Sequence, residues 1–277
     1  MIVIMCALHC EAKPLVDFFK LKLDREAKYP IFSRDEIVVA VAGVGKLLMA
    51  SAVNYIYARY NEPQSIAWIN LGVAGGGVGD VASLYNINKV TDAHSGVNWY
   101  PVRCPTLSYQ SSISLLTLDS PETDYKENCL FDMEASAFLL AALRFSSIEL
   151  IQLLKIVSDN KANHVDKVDK AMVTEIVQQN MAEIEKTVIT MKEQLQFFKQ
   201  NEWELAAFQY CLDNWHLSEY QKKSIKRLLQ QWRVLDEDAD IKALAQLPNG
   251  KGVINALEEM SQNLSIQFAG ETTRQEI

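Results

Sequence analysis

The first half of the chain alternates short apolar runs with helical patterns. Ile2 to Leu8, "IVIMCAL", has no polar face and predicts a buried strand. Leu15, Phe18 and Phe19 then share one side of a helix in which Pro14 falls where an early turn tolerates it. "YPIFSRDEIVVAVAG" reads as a hairpin turning near Arg34 and Asp35, and "GKLLMASAVNYIYARY" as a helix with small residues on one side. "SIAWINL" is a further strand that runs into "GVAGGGVGD", where the glycines predict a tight turn. "ASLYNINKVTDA" and "SSISLLTLD" are strand patterns, and "DMEASAFLLAALRF" is a helix entered from a strand. "IELIQLLKIVSDN" is a last apolar strand whose leading half also fits a helix. Strands alternating with helices predict α/β layers.

From about Val165 the texture changes to charged helices, and no strand signal follows. "DKAMVTEIVQQNMAEIEKTVITMKEQLQFFKQ" keeps apolar positions at three-to-four spacing, as long helices do. "WELAAFQYCLDNW", "SEYQKKSIKRLLQQWRVL" and "GVINALEEMSQNL" predict three shorter ones, with "GETTRQEI" frayed at the end. A boundary near Gln200 divides an α/β domain, residues 1–199, from a helical extension, residues 200–277.

At 277 residues, 49% hydrophobic and 22% charged, the chain buries a substantial core and is not a disordered one. Its 27 basic and 35 acidic residues leave a net charge of -8, which argues against general affinity for nucleic acid or an anionic membrane. The five cysteines, Cys6, Cys10, Cys104, Cys129 and Cys211, form no CxxC pair and read as reduced thiols. No stretch approaches the roughly 20 apolar residues of a membrane span, so the cytoplasm is the expected compartment.

Three acids stand at strand ends: Glu11, Glu134 and Asp159. In α/β sheets ligands gather at the carboxyl ends of strands, so these acids can meet in one cleft. Taken singly, each has a plain structural explanation as a helix cap. Glu134 resists it, because it follows Met133 in an apolar context and precedes the small Ala135 and Ser136.

The order of "CALHCEAKPL", "VAGVGKLLMASA", "INLGVAGGGVGDV", "DMEASAF" and "KIVSDN" resembles the nucleoside phosphorylase/hydrolase superfamily, most of all its 5'-methylthioadenosine/S-adenosylhomocysteine nucleosidase branch. The resemblance covers roughly residues 1 to 198. It implies a three-layer α/β/α fold with a mixed central sheet, and an N-ribosyl hydrolase acting on a purine or 5'-thio nucleoside. By that match Glu11 holds the attacking water, Met133 packs under the sugar, Glu134 binds ribose hydroxyls and Asp159 protonates the departing base. N-glycosidic cleavage passes through an oxocarbenium-like state that leaves charge on the base, and general acid help is worth about a hundred to ten-thousand fold. No metal and no cofactor is required.

Backbone near Gly45 and over Val73, Ala74 and Gly75 is a candidate ligand-facing surface, alongside its role in close packing. "AGVGKLLM" lacks both the glycine spacing and the hydroxyl residue of a Walker A loop. Relatives that use phosphate carry an arginine before the glycine loop and a hydroxyl within it; Asn70 and Val73 stand there, which favours water, although Arg34, Lys46 or Arg103 can supply charge from elsewhere. The segment between Asp80 and "DMEA" is shorter than in the nucleosidases and would have carried the base-stacking aromatic and much of the subunit contact. Trp99, with His94 and Tyr100, is the nearest aromatic candidate for a base wall, with interface packing the alternative. His9, His164 and His216 show no metal-ligand spacing.

Two other functions remain open: a phosphorylase, and a nucleoside-binding or scaffold protein with little turnover. The expected partners are a nucleoside, a second copy of the chain as in most of the family, and a protein on the C-terminal helices. There "YQKKSIKRLLQQWR" is locally basic, with "DEDAD" after it opposing phosphate; the alternative is a solvated face with its apolar stripe docked on the main domain.

Overall fold

A computed structural model describes residues 1–60, 66–102, 112–236 and 239–260. Arg103, Cys104 and "GETTRQEI" lie outside the described residues, as does part of "DEDAD". The chain divides into two compact units, Met1–Leu195 and the residues from Gln196 onward.

The first unit is built on a ten-stranded mixed sheet: β1 Ile2–Cys6, β2 Lys22–Leu23, β3 Ile31–Arg34, β4 Ile37–Val41, β5 Ala67–Gly76, β6 Leu84–Asp92, β7 Asn98–Trp99, β8 Ser112–Thr117, β9 Leu130–Asp132 and β10 Ile151–Asn160. β1 and β4 are buried at every position, as parallel strands covered on both faces must be. The hairpin at Arg34 and Asp35 joins β3 to β4, with Asp35 at φ +52°. β2 and β7, two residues each, were not legible as strands.

β5 organises the sheet. Its first residues pair with β1, Trp68 to Gly76 with β10, and Gly75 and Gly76 with Phe131 and Leu130 of β9. Since β10 also pairs with β6, β6 with β8 and β8 with β9, this half of the sheet closes on itself through β5. The expected glycine turn therefore begins later: Gly72, Gly75 and Gly76 lie inside the β5 ladder, because two strands flank them and hold them extended.

Helices cover both faces. α2 (Lys46–Arg59) packs on α3 (Ala135–Ala142) over a core that includes Val3, Met5, Trp68, Phe138 and Leu153. α1 (His9–Phe18) packs with α4 (Lys170–Gln179) against β1, β4, β5 and β10. Pro14 is the sixth residue of α1, beyond the first turn, and denies the Cys10 carbonyl its helical donor. The Thr174 hydroxyl of α4 donates to that carbonyl at 3.2 Å and so compensates the break.

The long charged helical stretch from Asp169 holds two helices. Asn180 ends α4, its side-chain amide donating to the carbonyls of Ile176 (2.8 Å) and Ala82 (2.9 Å). α5 then runs unbroken from Met181 to Asn214, absorbing "WELAAFQYCLDN", because no glycine or proline interrupts it. In the second unit α6 (Glu219–Leu235) starts from a Ser218 and Gln221 capping box. Its Ile225, Leu228, Leu229 and Trp232 join a core with Cys211, Leu244, Val253 and Leu257, so the apolar stripe of the basic helix is spent inside its own unit. Among the described residues no helix is long and apolar enough to cross a membrane.

Candidate active site

Glu11, Glu134 and Asp159 line one cavity of about 230 Å3, together with Val73, Ala74, Gly75 and Met133. They reach it from the ends of β1, β9 and β10, as side chains at the carboxyl edge of a sheet do. Their exposures are 2%, 7% and 4%.

Glu11 caps its own helix and does more. Its Oε2 accepts from the backbone N–H groups of Ala7 (2.9 Å) and Leu8 (2.8 Å), while Oε1 accepts from Val73 N–H (2.9 Å), sixty-two residues away on β5. Burial raises its pKa, opposed by the hydrogen bonds from Val73 and Leu8 and by the charge of Lys155.

Glu134 is freed from capping by its neighbour. Asp132 Oδ2 accepts from Ala135 N–H (2.8 Å) and Glu134 N–H (3.3 Å), closing the first turn of α3. Glu134 Oε1 instead accepts from Gly45 N–H at 2.7 Å, where a φ of +102° favours glycine. Burial, then the adjacent Asp132 charge, pushes the Glu134 carboxyl up to about 7. Gly45 thus contributes to the site through its backbone behind Glu134, while Val44 borders the cavity.

Asp159 receives two hydroxyl hydrogen bonds, from Ser158 Oγ to Oδ1 and from Tyr125 to Oδ2, each 2.5 Å. Gly75 is needed beside it: an added Cβ would stand 3.1 Å from Asp159 Oδ2.

Reading the sequence missed Lys155. It is 1% exposed on β10, and its ammonium lies 3.0 Å from Asp132 Oδ2. Burial works against its charge, but Asp132, Glu134 and Glu11 outweigh burial and raise its pKa, so it is an ammonium. The available signal was a lysine inside "LLKIV", a cation in a strand too apolar to leave it solvated. Asp132 and Tyr125 were missed as well.

Trp99 does not join this cavity. β7 pairs Trp99 with Val90 of β6, and the indole lines a separate cleft with Lys46, Leu47, Asp92 and Ser136. Among the described residues the aromatic that lines this cavity is Phe131. His94 borders a neighbouring cavity that shares Ser120, Pro121 and Glu122 with the main one, and Tyr100 is exposed. Trp99→Ala is expected to leave the KM for a nucleoside within about twofold of the parent; a tenfold rise in steady-state assays would return Trp99 to the base wall.

No protein-family model matches the chain, and no curated protein matches it by sequence. Solved structures do. The apo 5'-methylthioadenosine nucleosidase of Arabidopsis thaliana aligns at TM-score 0.54 and 19% identity, over 70% of this chain and 95% of that one. The methylthioadenosine/S-adenosylhomocysteine nucleosidase of Colwellia psychrerythraea in complex with adenine gives 0.55 and 16%, over 70% and 95%. A futalosine hydrolase mutant of Helicobacter pylori gives 0.52 and 14%, over 68% and 97%. The chain thus shares, over 68–70% of its length, the fold of these solved structures, here a mixed sheet between helical layers.

Proposed function

We propose that the protein hydrolyses the N-glycosidic bond of a purine or 5'-thio nucleoside. The observation that carries this reading is the arrival of Glu11, Glu134 and Asp159 in one cavity from three strand ends, with Met133 beside them. Glu11 takes a proton from the water that attacks C1' of the ribose, and its raised pKa suits it to that task. Glu134 accepts hydrogen bonds from the ribose hydroxyls. As the C1'–N bond breaks, its electron pair goes to the base nitrogen, which takes a proton from Asp159.

Water is favoured over phosphate by what the site's donors already hold. The N–H groups of Val73 and Gly45, which could cradle an anion, donate to Glu11 and Glu134. Lys46 is bound to Asp92 (3.1 Å) and Asp119 (2.6 Å), and Arg34 pairs with Asp35 (3.4 Å). Lys155 faces three carboxylates, so the pocket repels a doubly charged oxyanion.

The test is incubation with adenosine, inosine and 5'-methylthioadenosine, with and without inorganic phosphate, following free base and sugar. Base and free, unphosphorylated sugar released at equal rates in both conditions are expected. Release only with phosphate would make the protein a phosphorylase, and binding without release a nucleoside-binding protein.

A further inference from the structure

Behind Asp159 stands a hydroxyl for which the hydrolysis just described has no use. Tyr125 lies between β8 and β9, is 6% exposed, and packs its ring with Cys129 and Phe131. A phenylalanine would satisfy that packing equally. The hydroxyl finds its acceptor on Asp159 Oδ2, while Ser158 Oγ takes Oδ1. Asp159 lines the cavity and the Tyr125 ring does not, so Tyr125 touches the substrate space through Asp159 alone.

Several features build this contact. Tyr125 adopts φ +48°, a conformation uncommon for an aromatic residue. The turn that imposes it is held by Glu122, whose Oε1 accepts from the N–H groups of Thr123 (2.9 Å), Asp124 (2.5 Å) and Tyr125 (3.3 Å). On the facing strand, a Cβ on Gly75 would stand 3.1 Å from Asp159 Oδ2 and 3.3 Å from Tyr125 Cε1, so a residue without a side chain leaves room for the pair. Burial, followed by the hydrogen bond to Asp159 and its charge, pushes the phenol well above its usual range, so it keeps its proton and donates.

We propose that Tyr125 is a positioning residue for leaving-group departure: with Ser158 it locks the plane of the Asp159 carboxyl, so that Asp159 meets the base nitrogen as the glycosidic bond breaks. This rests on the hydrolase reading. Tyr125 exchanges no proton with the substrate. Its contribution is geometric, since a carboxyl held at both oxygens does not rotate away from the nitrogen it serves.

Tyr125→Phe removes the hydroxyl and keeps the ring. On the best purine nucleoside of the panel, kcat is expected to fall about tenfold to a hundredfold with KM within about twofold, the loss that misplacing a catalytic group causes. On 4-nitrophenyl β-D-ribofuranoside, whose leaving group departs as a stable anion, the same variant should match the parent. In an Asp159→Asn background, adding Tyr125→Phe should change the nucleoside rate no further. Equal losses on both substrates, or an additive loss in the Asp159→Asn background, would show a merely structural role and overturn the proposal. A parent protein that cleaves neither substrate overturns the hydrolase reading and this role with it; a parent that cleaves and a Tyr125→Phe variant indistinguishable from it overturn the role of Tyr125 alone.

Discussion

Glu134→Gln is expected to lower nucleoside turnover by about a hundredfold or more and, in alkaline buffer, to raise the melting temperature. The activity loss follows from replacing the charged acceptor of two ribose hydroxyls, each charge-assisted bond being worth about tenfold to a hundredfold. The stability gain follows from burial. In the unfolded chain this carboxyl titrates near 4.5, and in the fold burial and Asp132 push it up to about 7. Between those values the folded state holds a proton that the unfolded state has released, so this group's stabilisation is full below about 4.5 and lost as pH rises through about 7. Glutamine never ionises and can still accept from Gly45 N–H. Each pH unit across the window is worth about 1.4 kcal/mol, so the variant should gain on the order of 3 kcal/mol at pH 8 and less than about 1 kcal/mol at pH 5. Thermal melts at the two pH values measure this. Equal differences at both would mean that the carboxylate is not held against its charge.

The second large effect is on stability alone. Lys155→Met removes the ammonium facing Asp132, Glu134 and Glu11 and leaves buried carboxylates without a counter-charge. Breaking a buried ion pair from one side costs about 3–5 kcal/mol, which urea denaturation at pH 8 should show as a lower midpoint. Acid should narrow the gap to the parent, because protonated carboxyls no longer need the cation; the raised lysine pKa keeps Lys155 charged throughout that range. If Lys155→Met does not fold at pH 8, Lys155→Met with Asp132→Asn should recover part of the loss. A midpoint unchanged by Lys155→Met would remove the ammonium from the account of this site.

How far the sequence discloses this structure depends on the distance over which each feature is decided. β1, β4, the Arg34–Asp35 hairpin and α2 are local patterns, and their residues alone determine them. Glu11, Glu134 and Asp159 were legible as a set because strand ends in an α/β sheet share one edge. Lys155 was not, since nothing within "LLKIV" names Asp132 as its partner; the ladder that sets Lys155 opposite Gly72 does so. Tyr125, in the polar "ETDYKEN", is assigned by a left-handed backbone and an acceptor thirty-four residues away. Trp99 was chosen because it stands within the shortened segment between Asp80 and "DMEA", a criterion that carries no geometry. The glycines after Leu71 read as a turn because their composition says so, and tertiary pairing on both sides overrode it.

The closure of β5, β10, β6, β8 and β9 on one another bears on how this molecule meets its neighbours. Strands with neighbours on both sides leave little open ladder for another polypeptide, so this half is less exposed to accretion by strand addition. Among the described residues a second open margin, besides the two-residue β7 that pairs with β6 alone, is at the opposite extreme, where the two-residue β2 ends the sheet with Lys22 turned toward water. Brevity and a charged side chain are what blunt it there.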